Sequence, residues 1–394
     1  MTTTTTTTTT PRSTRRFRVD LRDRAVGIVV GVIADAVCAD PARFHPVAGL
    51  GTVAGLLDNA LHPAGPPPGD PPPGDPARKG PTRGRGGPLP AVSPEGGARV
   101  GGFSNRSRGA LLTAMVVGGA AGGVAAAHRL APGGSVGRIA VTGLTVWSCL
   151  GGTSLLRVAA RHGDLLAVSD IEASRALLPW LCGRDPSVLD EAQLARAVVE
   201  SVAENTSDAV VATLFWGAVA GPAGAAAHRA ANTLDAMVGH RSERYAEFGW
   251  ASARLDDVLG WPAARLTGAL TVLLAPVVGG RPSAAVRAWR RDSRAHPSPN
   301  AGVVESTAAG ALGVRLGGTT RYSYGVDERP VMGEGSAPGP EDIGRAVRLM
   351  RCVHLGAATV VVVGVVGVPG ARDQLRRRSA RRWARRLSAS SRLP

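Results

Sequence analysis

Two apolar runs, residues 109–127 and 136–160, are separated by little more than a Pro-Gly-Gly turn. Each approaches the roughly 20 residues that a helix needs to cross a bilayer. Their Gly, Ala, Ser and Thr content suits close helix packing in lipid, so they read as a transmembrane hairpin. Further apolar runs follow the same rule with interruptions: 25–39 contains Asp35, 209–227 contains Gly217, Gly221, Pro222 and Gly224, 258–279 contains Arg265, and 353–368 precedes an arginine-rich end. The expected fold is all-α: a polytopic integral membrane protein with about five to six apolar helices and amphipathic or polar helices between them. A multi-pass protein of the cell membrane is the matching location, with the lipid bilayer as its first partner.

Composition divides the remainder. Residues 1–24, a threonine run followed by arginines, are expected to be a disordered N-terminus, and 25–62 the first part of the membrane domain. Residues 63–102 repeat Pro, Gly and Asp and cannot build a packed core, so they read as an insertion. Residues 103–369 form the membrane-embedded catalytic domain and 370–394 a basic tail. The net charge is +16, and Lys79 is the only lysine. That excludes a phosphate-binding loop ending in Gly-Lys and argues against Schiff-base chemistry. Phosphate must be held by arginine, backbone amides or a metal. The basic tail directly follows an apolar run, which favours a flank beside anionic lipid over a nucleic-acid surface; a merely solvated tail has equal standing. Cys38, Cys149, Cys182 and Cys352 are too scattered for a zinc site.

The chemistry concentrates between Arg196 and Arg265. On a regular helix, Glu200, Glu204 and Asp208 drift only about 80° around the axis, with Asn205 and Ser207 close by. Three carboxylates on one face suit Mg²⁺, which prefers oxygen ligands and bridges to phosphate; the plain alternative is a solvated face with an Arg196–Glu200 pair. Ser187 is a candidate cap for that helix, with Asp190 three residues on. Arg229, Asn232 and Asp235 recur every third residue before Gly239, a helix stop. His240, Arg241 and Arg244 follow and are candidates for phosphate, although the arginines have Glu243 and Glu247 as neighbours. Asp256 and Asp257 open the helix expected to begin near Val258, as a second metal position or as dipole stabilisers. Arg265, inside an apolar run, needs a partner, for which Asp256, Asp257 or a bound anion would serve. Pro297 and Pro299 stiffen a loop that presents His296 and Asn300, and the glycine pair in residues 316–319 is a weak phosphate-contact candidate.

Three long blocks carry a resemblance: VESVAENTSD, HRAANTLDAMVGHRSERYAEFGWASARLDDVLGW, and RDSRAHPSPNAG with the downstream ESTAAGALGVRLGG. They resemble the cobalamin-biosynthesis family usually called CobD or CbiB, the adenosylcobinamide-phosphate synthases. DPARFHPV resembles the family's Asp-Pro…His-Pro segment, and GRDPSVLD its Gly-Arg-Asp-Thr motif with Pro186 in place of threonine. The likeness runs over about 28–349 apart from the Pro-rich insertion.

The resemblance implies an integral membrane ligase that joins adenosylcobyric acid to aminopropanol, or its O-phosphate, through an amide bond, using ATP and Mg²⁺. In that scheme Glu200, Glu204 and Asp208, with Asp256 or Asp257, hold the metal. Arg241 and Arg244 bind phosphate, with Asn205, His240 and Arg265 beside the substrate. Asn232, Asp235 and Asn300 orient substrate, and His296 or His240 deprotonates the amine. Other corrinoid-pathway enzymes are conceivable partners. The competing readings are a non-catalytic membrane carrier or sensor, or a scaffold. A single site also sets a topological demand: 209–227 must not pass through the bilayer as a simple lipid-facing span, because it would part the two polar clusters.

Overall fold

The computed structural model describes residues 12–40, 46–61, 104–240, 244–322 and 325–390. The expected insertion at 63–102, the threonine run, part of the DPARFHPV segment and Arg241 lie outside them, while the N-terminal stretch expected to be disordered is helical from Arg12 onwards. The chain builds α1 (Arg12–Cys38), α2 (Pro46–Leu61), α3 (Asn105–Leu130), α4 (Ser135–Cys149), α5 (Gly152–Ala167), α6 (Ile171–Leu177) and α7 (Glu191–Asn205). A π-helical turn, Thr206–Val211, leads into α8 (Ala212–Val238), followed by α9 (Trp250–Leu274), α10 (Pro282–Asp292) and α11 (Ala301–Leu312). An antiparallel hairpin of β1 (Leu316–Tyr322) and β2 (Gly325–Met332) precedes α12 (Pro340–Ser390).

Five helical stretches among the described residues are long and apolar enough to cross a membrane: Asn105–Leu130, Ser135–Ala167, Glu191–Val238, Trp250–Val278 and Pro340–Gly367. The protein is an all-α, multi-pass membrane protein. Small residues set the crossing of α1 and α4. A Cβ on Gly31 of α1 would sit 2.7 Å from Val146 on α4, so only glycine lets these two backbones approach.

Several local readings need correction. The run at 136–160 is two helices, α4 and α5, parted at Leu150–Gly151. α7 is capped by Asp190, not Ser187: Asp190 accepts from the Gln193 N–H and Gln193 reaches back to the Asp190 N–H, while Ser187 bonds Asp185. α9 begins at Trp250, so Asp256 and Asp257 lie inside the helix and not at its start. The basic tail continues α12 as helix to Ser390.

The segment between the two polar clusters is a broken helix. Gly221 adopts φ 73°, ψ −168°, a conformation available essentially to glycine alone, and Pro222 starts the next stretch. At about 1.5 Å per residue, a straight helix from Asp208 to Asp235 would hold them about 40 Å apart. Both line one cavity, so the chain reverses at Gly221. The reversal, with Gly221 and Pro222 buried and Val219 exposed, brings the two clusters to the same place.

Candidate active site

That cavity encloses about 430 Å³. α7 and its π turn supply Ser201, Glu204, Asn205 and Asp208; α8 supplies Asn232 and Asp235; α9 supplies Asp256 and Asp257. The loop before α11 adds Ser298 and Asn300, the Gly-Arg-Asp segment adds Arg184, and β2 adds Arg329. Five carboxylates from three separate elements therefore face one half-buried space that two arginines also line. Asn232 hydrogen-bonds Asp256, while Asp256 Oδ1 is buried without a hydrogen-bond partner among the described residues. A buried acceptor without a donor is costly and is expected to meet a ligand, an ion or water.

Of the expected site residues, the structure brings together Glu204, Asn205, Asp208, Asn232, Asp235, Asp256, Asp257 and Asn300. Glu200 is not among them. The π turn that carries Asp208 shifts the helical register after Glu204, and Glu200, 1% exposed, does not line the cavity. Its two oxygens take the Arg184 guanidinium and, at 2.6 Å, the Gly317 N–H. The glycine pair of β1 thus spends a backbone amide on a carboxylate of the protein itself. Arg196 makes no hydrogen bond to Glu200; it donates to the carbonyls of Gly317 and, at 2.6 Å, Thr319. Glu200 and Arg196 fasten the hairpin to α7, and the hairpin carries Arg329 to the cavity.

Among the described residues, Arg265 has no carboxylate partner. It donates to Asn300 Oδ1 at 2.8 Å and stacks on Trp261. The Asn300 side-chain N–H in turn donates to the Asp257 carbonyl at 2.8 Å. Both ends of the Asn300 amide are therefore engaged by protein, and its role is to lock α9 to the loop. Arg244 lies 3.8 Å from Asp58 of α2 and over the Tyr245 ring, and His240 packs edge-on to the same ring; neither lines the cavity. Asp58 also accepts from the Tyr245 hydroxyl at 2.9 Å, which ties α2 to this satellite cluster.

His296 is buried beneath the cavity. Its Nδ1 accepts from the Ser298 N–H at 3.1 Å, and its Nε2 lies 4.0 Å from Glu305. Burial lowers the His296 pKa. Glu305 is fully buried in α11, and burial, together with the negative charges of Glu200 and Glu204, pushes its pKa well above the usual carboxylate range. The Arg329 guanidinium lies 3.9 Å from the same Glu305 oxygen and opposes part of that rise.

Among the described residues, no three His, Cys, Asp or Glu side chains stand close enough to form a ready-made metal site. The five-residue metal set expected from sequence is therefore not assembled as a cage. The oxygen-rich cavity still fits a hard cation of the Mg²⁺ type, which is usually held by one or two carboxylates, waters and substrate phosphate.

The family model described as CobD/Cbib protein matches residues 28–350. The chain belongs to the CobD/Cbib family. Among curated CobD/Cbib relatives, the cobalamin biosynthesis protein CobD of Mycobacterium tuberculosis is 45% identical over 340 residues, covering 86% of this chain and 95% of that protein. The protein of the same name from Chromobacterium violaceum is 37% identical over 347 residues, with 87% and 98% covered. That of Rhodobacter capsulatus is 40% identical over 264 residues, with 67% and 82% covered. No solved structure matches the chain. Like these CobD proteins, this chain serves cobalamin biosynthesis.

Proposed function

We propose that this protein is an adenosylcobinamide-phosphate synthase of the cell membrane: an ATP-dependent ligase forming an amide between a propionate carboxylate of adenosylcobyric acid and the amine of aminopropanol, or of its O-phosphate. One observation carries the reading. Five carboxylates and two arginines converge on one cavity in a membrane protein of the cobalamin pathway. An amide-forming ligase that spends ATP must activate a carboxylate, most simply as an acyl phosphate, and such phosphoryl transfer depends on positioning and charge neutralisation.

In this reading Arg184 and Arg329 meet phosphate oxygens, the part first given to Arg241 and Arg244. Glu204 and Asp208 from one side and Asp256 and Asp257 from the other are the residues that would hold Mg²⁺. When bound, Mg²⁺ would neutralise phosphate charge among these carboxylates. Asn232 fixes the Asp256 carboxylate, and Asp235 faces the same space. Proton removal from the attacking amine falls to Asp235, the cavity carboxylate outside the metal set; His296 and His240 do not line the space. The amine nitrogen gains the acyl carbon, phosphate leaves with the acyl C–O electron pair, and the amine proton passes to the carboxylate.

The deciding experiment incubates purified protein with adenosylcobyric acid, aminopropanol phosphate, ATP and Mg²⁺ and follows the corrinoid by mass spectrometry. Amide product with stoichiometric ATP cleavage is expected. Folded protein that yields neither would turn the reading towards a carrier or scaffold.

A further inference from the structure

A second cavity, of about 450 Å³, lies on the other side of the π turn. Asp208 lines the acidic cavity and Val210, two residues on, lines this one, so the same turn walls both. α1, α5, α8 and α12 complete it. Its surface is mainly apolar, from residues such as Val32, Leu156, Leu214 and Leu355, but Asp35, Arg157, Arg351 and His354 also reach it.

Asp35 is 8% exposed. One of its oxygens accepts from the Thr153 N–H at 3.1 Å and hydroxyl at 2.8 Å. The other, Oδ1, is buried with no hydrogen-bond partner among the described residues. Arg157 acts on Asp35 electrostatically without forming a salt bridge among the described residues. Arg157 and Arg351 are exposed at the cavity's mouth. The His354 Nε2 is already engaged with the Thr206 hydroxyl at 3.1 Å, on the π turn itself.

These groups select a ligand class. An anion alone would meet the two arginines but be repelled by Asp35. A cation alone would meet Asp35 and be repelled by the arginines. A ligand bearing an N–H⁺ donor a few bonds from a phosphate satisfies both, and its carbon chain would lie on apolar walls. We propose that this cavity binds an aminoalkyl phosphate, with its primary ammonium on Asp35 and its phosphate between Arg157 and Arg351. Two sources share that chemistry: the headgroup of an aminophospholipid, and free aminopropanol phosphate. The second source rests on the function proposed above; the first does not.

The test measures binding, with no ATP present, so it stands apart from the ligase assay. The full-length protein in maltoside detergent is titrated calorimetrically with dioctanoyl phosphatidylethanolamine, phosphatidylcholine or phosphatidylglycerol, and separately with aminopropanol O-phosphate. Binding of the ethanolamine lipid about tenfold tighter than both other lipids assigns the bilayer as source, because choline offers no N–H and glycerol no charge. Binding of aminopropanol phosphate without that lipid preference assigns the free molecule. In either case Asp35→Asn should weaken the ligand about tenfold. Equal affinity for the three lipids together with no binding of the free phosphate overturns the proposal, as does Asp35→Asn with unchanged affinity. Should Asp35→Asn fail to fold, Arg351→Gln at the exposed mouth decides in its place: about a tenfold loss supports the site, and unchanged affinity overturns it.

Discussion

Glu200 and Glu204 lie one helical turn apart on α7 and do different work. Glu204 faces a cavity shared with four other carboxylates, whereas Glu200 is sealed under that cavity between Arg184 and the amide of Gly317. The same contrast holds for Asp256, which keeps a free oxygen at the cavity, and Glu305, which is buried below it. A carboxylate beside apolar helices is thus not automatically part of a site. What separates the two kinds is whether the side chain lines the cavity: Glu204 and Asp256 do, whereas Glu200 and Glu305 do not.

Substitution should separate them further, and most strongly at the first pair. Glu200→Gln removes the charge that faces the buried Arg184 side chain, and breaking a buried pair costs about 3–5 kcal/mol. The expected result is a large fall in thermal stability in detergent, or failure to accumulate. Glu204→Gln should leave the melting temperature close to that of the wild type but lower the rate of amide formation by about 100–1000-fold, the usual loss when a charge-stabilising group leaves an active site. If Glu204→Gln unfolds the protein while Glu200→Gln merely slows it, the division between the two layers is wrong.

The next effect tests how the cavity is closed. Gly221 holds φ 73°, and a Cβ there would also lie 3.3 Å from Arg24, whose guanidinium donates to the Ala218 carbonyl at 2.8 Å. Gly221→Ala should cost about 1–3 kcal/mol from backbone strain alone. Because this turn carries Asn232 and Asp235 back to Glu204 and Asp208, synthesis should fall as well. A variant that unfolds earlier yet retains full activity would show that the cavity tolerates movement of this reversal.

How much of this could be read from the chain alone differs from residue to residue. Glu204, Asp208, Asp235, Asp256 and Asp257 are conspicuous because charge beside an apolar run is expensive, and Gly221–Pro222 warns of a broken helix. The π turn has no such sign: it replaces an α-helical turn without a distinctive residue, and it is what turns Asp208 away from the register of Glu200. Arg184 stood within the quoted Gly-Arg-Asp segment, and as a lone arginine in an otherwise acidic and apolar stretch it could have been singled out. Arg329 is harder. It reaches the cavity only because β1 and β2 pair, and the alternation of Val326, Glu328 and Pro330 with their neighbours is too short to betray a hairpin. The misassigned phosphate ligands, Arg244 and His240, follow a helix end as phosphate binders often do, but Asp58 and Tyr245 draw Arg244 into a satellite cluster that no local pattern announces.

The smallest effect concerns the lower layer alone. Glu305 has its folded pKa raised well above the ordinary carboxylate value by burial and by neighbouring negative charge. The unfolded chain releases this proton at the ordinary value while the folded protein keeps it, so stability is fully present below that value and declines as pH rises towards the folded pKa. His296 behaves in the opposite sense: its lowered pKa costs stability as pH falls below the ordinary histidine value. Glu305→Gln keeps a neutral side chain of nearly the same shape and removes only the first dependence. Its melting temperature relative to wild type should therefore climb steadily from acidic towards neutral pH, by a few degrees, while the acid-side loss due to His296 remains. A difference between the two proteins that is flat with pH would mean that Glu305 is ionised in the folded state, and the layer beneath the cavity would then carry charge as the cavity does.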